Sequence, residues 1–584
     1  MLQRHRRVRF AAFLMVIGSG LALSVAWGQP APTPRPAIEP APPVAPAKFE
    51  APVKPTRADV ARAYLGLEHA LNPSSIERPA DVPAAYSKAF DALTMSFFGG
   101  RFDEVIKQVH TLTDTVHGRR SLVSCSPDVI ARSLHLSCDP PVIALNAFAT
   151  AKVTLTSMYD AGAGAGLAAP IKRTIFVKFE KSNGSETTLQ TEATIVPAGM
   201  LTAELLLDLP KDFAGATPGV YDVSVLWSLS SKCGGHGVGR IVLTAQAPSA
   251  DRAAITERAQ ALEASNADEH PPLAAAARRV LGRATLLTDS PSPNNSSEFM
   301  LDIPGHVTEL NAELDQIAAG NDPFSSRRGD WWTLLKTNAS TNPTRIIAPA
   351  SALTPGVKPP LLIALHGMGG DENMFPDAYG NGRLKALADK HAFILVSPRV
   401  DLTTFTSPKA VDAFLDDLAS MYEFDRDRVY VIGHSMGAGA AAYIARNSIT
   451  KVAAVACLAG GPQRPVLRSV APMLVFGAEL DPIISAATLE AAARASEAAG
   501  FSVEYREAAD HGHTLMVGPV LDEVVIWLLQ RRLDVAERQR WLDEDKARAK
   551  KPAPSKPAPA PATPANSLAD PQSTAPASTP PAAP

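Results

Sequence analysis

The stretch that decides the fold is 428–446, RVYVIGHSMGAGAAAYIAR. Val429 to Ile432 is an unbroken apolar run rich in β-branched residues, and it reads as a buried strand. MGAGAAAYIAR (436–446) reads as a helix of small residues. Between them lies Gly433-His434-Ser435-Met436-Gly437, a G-x-S-x-G pentapeptide. A serine at such a strand-to-helix turn is held in a tight bend, with its hydroxyl projecting above the sheet. Glycines are required on either side because Cβ atoms there would clash. Ala438, Gly439 and Ala440 let the helix pack close to the strand. In this context Ser435 reads as a nucleophile rather than a plain turn serine.

Working outward, strands and helices alternate. LLIALHG (361–367), FILVSP (393–398), VAAVACLAG (452–460), MLVFGAE (473–479) and SVEYREA (502–508) are strands. Residues 380–391, 408–421, LEAAARASEAAG (489–500) and GPVLDEVVIWLLQ (518–530) are helices. WWTLLK (331–336) and TRIIA (344–348) are leading strands. The pattern predicts an α/β domain over 326–540, a mostly parallel sheet with helices on both faces.

A serine hydroxyl needs a base within hydrogen-bond reach, and the base needs an orienting acid. On this kind of sheet they follow in the order Ser, Asp/Glu, His, on loops after later strands. Asp481, in Ala478-Glu479-Leu480-Asp481-Pro482, is the favoured acid. Glu479 competes, and Asp-Pro is also an ordinary turn signal. His513, in Asp510-His511-Gly512-His513, is the favoured base because it lies nearest the next helix; His511 competes. The oxyanion formed by attack needs fixed donors. One is the backbone N–H of Met436. The second is that of Met368, with Gly367 as alternative, in His366-Gly367-Met368-Gly369-Gly370. His366 reads as a brace for that turn.

LHGMGGDEN (365–373), DRDRVYVIGHSMGAG (425–439), FGAELDPII (476–484) and HGHT (511–514) resemble the α/β-hydrolase superfamily. Within it they resemble secreted esterases of the polyhydroxybutyrate-depolymerase and feruloyl-esterase type, related to prolyl-oligopeptidase-like catalytic domains. The resemblance covers about residues 331–531. It implies Ser435, Asp481 and His513 as the triad and Met368 and Met436 as oxyanion donors. It also implies hydrolysis of a small or polymeric ester through an acyl-enzyme. The oxyanion loop is HGMGG rather than the HGGG of lipases, which points away from that branch. The alternatives are a peptidase of the prolyl-oligopeptidase-like type, or a polymer- or cell-wall-binding protein with an accessory hydrolase domain.

The remaining sequence sets the context. The chain has 584 residues, 46% apolar and 20% charged, which suits a folded multidomain protein. Lys+Arg number 56 against Asp+Glu 59, a net charge of −3 that offers no general attraction to nucleic acid. Residues 1–28, with Arg4, Arg6, Arg7 and Arg9 before an apolar run, read as a signal peptide cut after Gly28. The expected location is periplasmic or secreted.

Of 51 prolines, 21 fall in 29–56 and 551–584. Residues 29–56 read as an extended linker and 541–584 as a disordered Pro/Ala-rich tail. Both are spacers, or tethers reaching through a cell-envelope layer. Residues 57–118 read as helical and 119–248 as a β-sandwich-like domain. Residues 249–325 read as helical again. Tyr221 and Trp227 share one side of a strand and are assigned to the core rather than to a ligand surface.

Cys125 and Cys138 are close enough in sequence to pair, while Cys457 reads as a buried apolar residue. His511 and His513 alone do not complete a zinc set, so no metal is assigned, and no organic cofactor is implied.

Overall fold

The computed structural model describes residues 53–118, 127–162, 167–197, 200–227, 236–337 and 341–550. The signal-peptide reading, most of the 29–56 linker, Cys125, Cys233 and the tail beyond Lys550 lie outside these residues.

Eight strands run through the first half. They are β1 (Leu134–Asp139), β2 (Val142–Ala144), β3 (Thr150–Ser157), β4 (Ile171–Lys181), β5 (Glu186–Ile195), β6 (Leu201–Asp208), β7 (Gly219–Leu226) and β8 (His236–Thr244). They form one sheet in the order β1-β3-β6-β5-β4-β7-β8-β2, antiparallel except where β2 joins β8. The sheet curls so that β1 meets β8; a methyl on Gly239 would lie 2.9 Å from the Leu136 side chain. Alternation carries the core. Ile175, Val177 and Phe179 of β4 and Tyr221, Val223 and Val225 of β7 all point inward. Tyr221 is buried there, with its hydroxyl donating to the Thr217 carbonyl. Sequence reading gave residues 119–248 as β-sandwich-like without separating every strand; VIALNAFATAKVTLTSM (142–158) is one stretch with no clear break in its pattern. It is two strands, and LHLSCD, not singled out, is β1.

Helices Arg57–Leu71 and Phe102–Val116 close this core with Val60, Ala63, Leu67, Ile106 and Val109. The first is capped by a Thr56–Asp59 capping box. Asp59 also holds His135 of β1 at 3.0 Å. Burial opposes ionisation of Asp59, but that hydrogen bond and charge win, and its pKa falls to about 2.

The second sheet contains β9 (Gly329–Lys336), β10 (Thr341–Ala348), β11 (Leu361–Leu365), β12 (Ile394–Pro398), β13 (Val429–His434), β14 (Ala454–Leu458), β15 (Met473–Ala478) and β16 (Val503–Ala508). Its order is β16-β15-β14-β13-β11-β12-β10-β9. All pairings from β12 to β16 are parallel, and β10 is antiparallel to both its neighbours. Successive residues serve opposite faces. Leu361, Ile363, Val429, Val431, Val455 and Val475 meet helices Pro408–Ala419, Met436–Asn447 and Ala486–Ala498. Leu362, Ala364, Tyr430, Ile432, Ala456 and Leu474 meet Arg383–His391 and Val517–Leu529. Both faces are therefore covered, which accounts for the near-continuous apolar strands.

Two expectations about domain limits change. Helices Pro248–Asn266, Pro271–Ala284 and Ile303–Ala318 share the first of these cores through Ile255, Val280, Leu310 and Leu314. The 249–325 region is thus part of the α/β unit. It is locked there by the buried Arg283, which pairs with Glu313 and Glu309 and donates to the Trp332 carbonyl. Downstream, the tail does not begin at 541. A helix, Val535–Lys550, continues past that limit, because Trp541 and Leu542 pack on the core and the Arg538 guanidinium sits 4.5 Å from the Trp541 ring centre.

The two halves are joined by a small cluster of Tyr64, Val82, Ala378 and Leu515. Beside it Glu68 accepts from the Tyr64 hydroxyl at 2.6 Å and from the Gly380 N–H at 3.2 Å. Burial raises its pKa to about 7 despite these donors. Between pH 4.5 and 7 the folded state therefore keeps a proton that the unfolded chain has released, and stability falls as pH rises through that window. Glu68→Gln removes this penalty. Thermal unfolding followed from pH 5 to 8 should show the variant gaining on wild type by up to about 3 kcal/mol.

Candidate active site

The site is built on the bend after β13. Every residue of that strand is buried, and Ser435 follows with φ +53° and ψ −112°, as the N-cap of the Met436–Asn447 helix. A non-glycine residue in this region stores roughly 1–3 kcal/mol of strain. The surroundings enforce it. A methyl on Gly437 would lie 2.0 Å from the Leu365 carbonyl oxygen, and one on Gly433 would lie 2.1 Å from that of Gly437. The Ser435 N–H is pinned to the Leu458 carbonyl at 2.9 Å.

Three side chains converge at this bend. Ser435 Oγ is 2.9 Å from His513 Nε2, and His513 Nδ1 is 2.7 Å from Asp481 Oδ2. With the hydroxyl donating to Nε2, the imidazole proton lies on Nδ1 and is donated to the carboxylate. The other Asp481 oxygen accepts the N–H groups of Ile483 (2.8 Å) and Ile484 (2.9 Å). Both partners are shielded, with side-chain exposures of 0% for Asp481 and 7% for His513.

The two competing residues have other partners. Glu479 is turned to the Asp510 N–H at 2.8 Å. His511 donates from Nδ1 to the Ala509 carbonyl at 2.6 Å and accepts the Val82 N–H at Nε2, 3.3 Å away. Among the described residues no group of three or more His, Cys, Asp or Glu is arranged to hold a metal ion.

The loop after β11 lies directly on the bend. A methyl on Gly367 would come within 3.3 Å of Ser435 Cβ and 2.8 Å of His434 Nδ1. A turn closed from Gly370 N–H to the Gly367 carbonyl shapes the segment that carries Met368. His366 braces it, donating from Nδ1 to the Gly367 carbonyl (2.8 Å) and accepting the Val400 N–H at Nε2 (2.9 Å). Burial pushes its pKa down to about 4, which keeps it neutral. Met436 opens its helix, so its N–H has no intrahelical partner.

Two residues that sequence reasoning did not select also touch this arrangement. His434 is fully enclosed, and burial pushes its pKa to about 3. As a neutral ring it donates from Nε2 to the His513 carbonyl (3.0 Å) and accepts the Tyr379 hydroxyl at Nδ1 (2.8 Å). Asp91, at the end of helix Ala84–Asp91, accepts the His513 N–H at Oδ2, 2.7 Å away. Burial raises its pKa to about 6, with the His513 N–H and ring charge pulling the other way. His434 was legible as the variable position of the pentapeptide. Asp91 carried no signal, since it lies 422 residues from its partner.

Residues 361–576 match the model of the alpha/beta hydrolase family, and the described part of that span, 361–550, has that fold. A bifunctional acetylxylan esterase/xylanase from Neocallimastix patriciarum is 33% identical over 122 residues. That alignment takes in 18% of this chain and 18% of the relative, so the chain spans well under two thirds of it. Among solved structures, S-formylglutathione hydrolase from Staphylococcus aureus aligns over 34% of this chain and 98% of its own, at 14% identity and TM-score 0.30. The feruloyl esterase module from Clostridium thermocellum aligns over 33% and 84%, at 14% identity and TM-score 0.28. Likenesses at this level carry no statement about activity.

The glycine geometry gives a paired test. Gly437→Ala should abolish labelling by a fluorophosphonate probe and lower the melting temperature, because nothing can yield around a carbonyl oxygen 2.0 Å away. Gly439→Ala, whose methyl would meet nothing within 4 Å, should keep labelling and melt slightly higher, by about 0.5–1 kcal/mol of helix propensity.

Proposed function

We propose that the alpha/beta hydrolase domain of this chain is a serine esterase that cleaves carboxylic esters through an acyl-enzyme. The observation that carries this reading is the relay from Ser435 through His513 to Asp481, with contacts of 2.9 and 2.7 Å, set on a strained bend above a parallel sheet.

In this mechanism Ser435 Oγ attacks the ester carbonyl carbon while His513 Nε2 takes its proton. The tetrahedral oxyanion is held by the N–H groups of Met436 and Met368. His513 returns the proton to the leaving alcohol as the C–O bond breaks. Water, deprotonated by the same nitrogen, then attacks the acyl-enzyme, and the carboxylic acid leaves as Ser435 regains its proton. Asp481 keeps the imidazole in the tautomer that leaves Nε2 free, and it stabilises the imidazolium formed in each half. No metal or organic cofactor takes part in these steps.

An ester is favoured over a peptide because an alcohol leaves more readily than an amine, and because the matched relative's name includes an acetylxylan esterase. The substrate is a small or polymeric ester. Export to the periplasm or beyond is part of the same proposal, resting on the basic and apolar pattern of residues 1–28. Among the described residues no helix is long and apolar enough to cross a membrane.

Ser435→Ala should reduce p-nitrophenyl acetate turnover by on the order of 10⁴-fold or more, with the melting temperature close to wild type, because alanine keeps the same Cβ and the same backbone conformation. Wild-type protein offered matched p-nitrophenyl esters and peptide p-nitroanilides should turn over the esters alone. Turnover confined to the anilides would replace this reading with a peptidase.

A further inference from the structure

The peptide of His513 is gripped at both ends. Its carbonyl accepts the His434 ring N–H at 3.0 Å, and its own N–H donates to Asp91 Oδ2 at 2.7 Å. The carboxylate fits against a glycine chosen for the approach; a methyl on Gly512 would lie 2.0 Å from Asp91 Oδ2. Asp91 Oδ1 is buried without a protein hydrogen-bond partner among the described residues.

The rest of the N-terminal segment follows the same path over the site. Arg57 pairs with Asp371 at 2.7 Å beside the oxyanion loop. The Val82 N–H reaches His511, and Phe97 covers Gly369, where a methyl would lie 2.5 Å from the ring. Asn381 and Arg383 hold the carbonyls of Asn72 and Ser75 at 2.8 and 3.1 Å.

Taking Ser435, His513 and Asp481 as the relay proposed above, we infer that Asp91 is a positioning residue for the proton-transferring histidine. Residues 57–98 are then a working part of the active site rather than a separable module. The carboxylate fixes the main chain from which the imidazole hangs. Without it the N–H loses its charged acceptor, the loop re-seats, and Nε2 moves off the line to Ser435 Oγ. A shift of about 1 Å at a reacting centre can cost on the order of 100-fold in rate.

The test uses the full chain, with ester kinetics and the rate constant for fluorophosphonate labelling of Ser435. Asp91→Ala should lower kcat roughly 10- to 100-fold with KM changed less than about twofold, and labelling should slow by the same factor. Asp91→Asn should recover most of the loss, because its amide oxygen can accept the same N–H. Gly512→Ala should reproduce the loss with Asp91 intact, since its methyl takes the carboxylate's place, and it should add nothing to Asp91→Ala.

Folded Asp91→Ala protein with kcat and labelling within about twofold of wild type overturns the inference, as does an equal fall in Asp91→Asn. If Asp91→Ala does not fold, Gly512→Ala decides, and labelling at the wild-type rate overturns it. Wild-type protein that labels but hydrolyses no ester removes the esterase reading and leaves this one in place. Wild-type protein that does not label removes the relay itself, and this inference with it.

Discussion

One missing carbon organises the catalytic half of this molecule. Between the end of β11 and the start of the Met436–Asn447 helix there is no room for a Cβ, so position 437 is glycine and the helix can press its first turn against the neighbouring strand. That approach forces the chain through the left-handed turn at Ser435, aims its hydroxyl off the sheet edge, and leaves the first helical N–H groups facing the same space. The helix behind the turn has a buried face of small residues, Ile444 apart, for the same reason: Ala438, Ala441, Ala442 and Ala445 lie against β13 and β14.

The α/β half was legible because its signals are local. Buried parallel strands are apolar at every position, turns separate them from amphipathic helices, and the serine bend has a sequence of its own. Asp481 was preferred to Glu479 for its place beyond a strand end and His513 to His511 for its nearness to the next helix, and the structure sets His513 against Ser435 and Asp481 against His513. What escaped notice depends on distant partners. Asp91 sits in AAYSKAFD, an unremarkable amphipathic helix, and acquires meaning only from a loop at the far end of the chain. Likewise Trp541 anchors a helix that its composition, next to a proline-rich stretch, disguised as tail.

The limits between regions were the least readable feature, and packing explains why. A helix is assigned to a domain by the core that its apolar stripe joins, which no window of sequence reveals. Residues 249–325 read only as a helical region outside the 326–540 domain, yet Ile255, Val280 and Leu314 complete one face of the second sheet. Helices 57–71 and 102–116 finish the β core instead, while the segment between them lies against the α/β half. The chain thus crosses between its two cores and ties them with groups that are expensive to bury, among them Glu68 and Arg383.

The tethers on the histidine loop have a kinetic meaning. They join residues 422 and 429 positions apart in a chain of 584. Loop closure over such spans comes late in folding, after the nearby pairings that make it worthwhile. A nascent chain that has already shaped its serine turn still lacks a fixed proton acceptor until its earliest helices return to meet its last strand. On the mechanism proposed above, chemical competence is thereby deferred to the end of assembly.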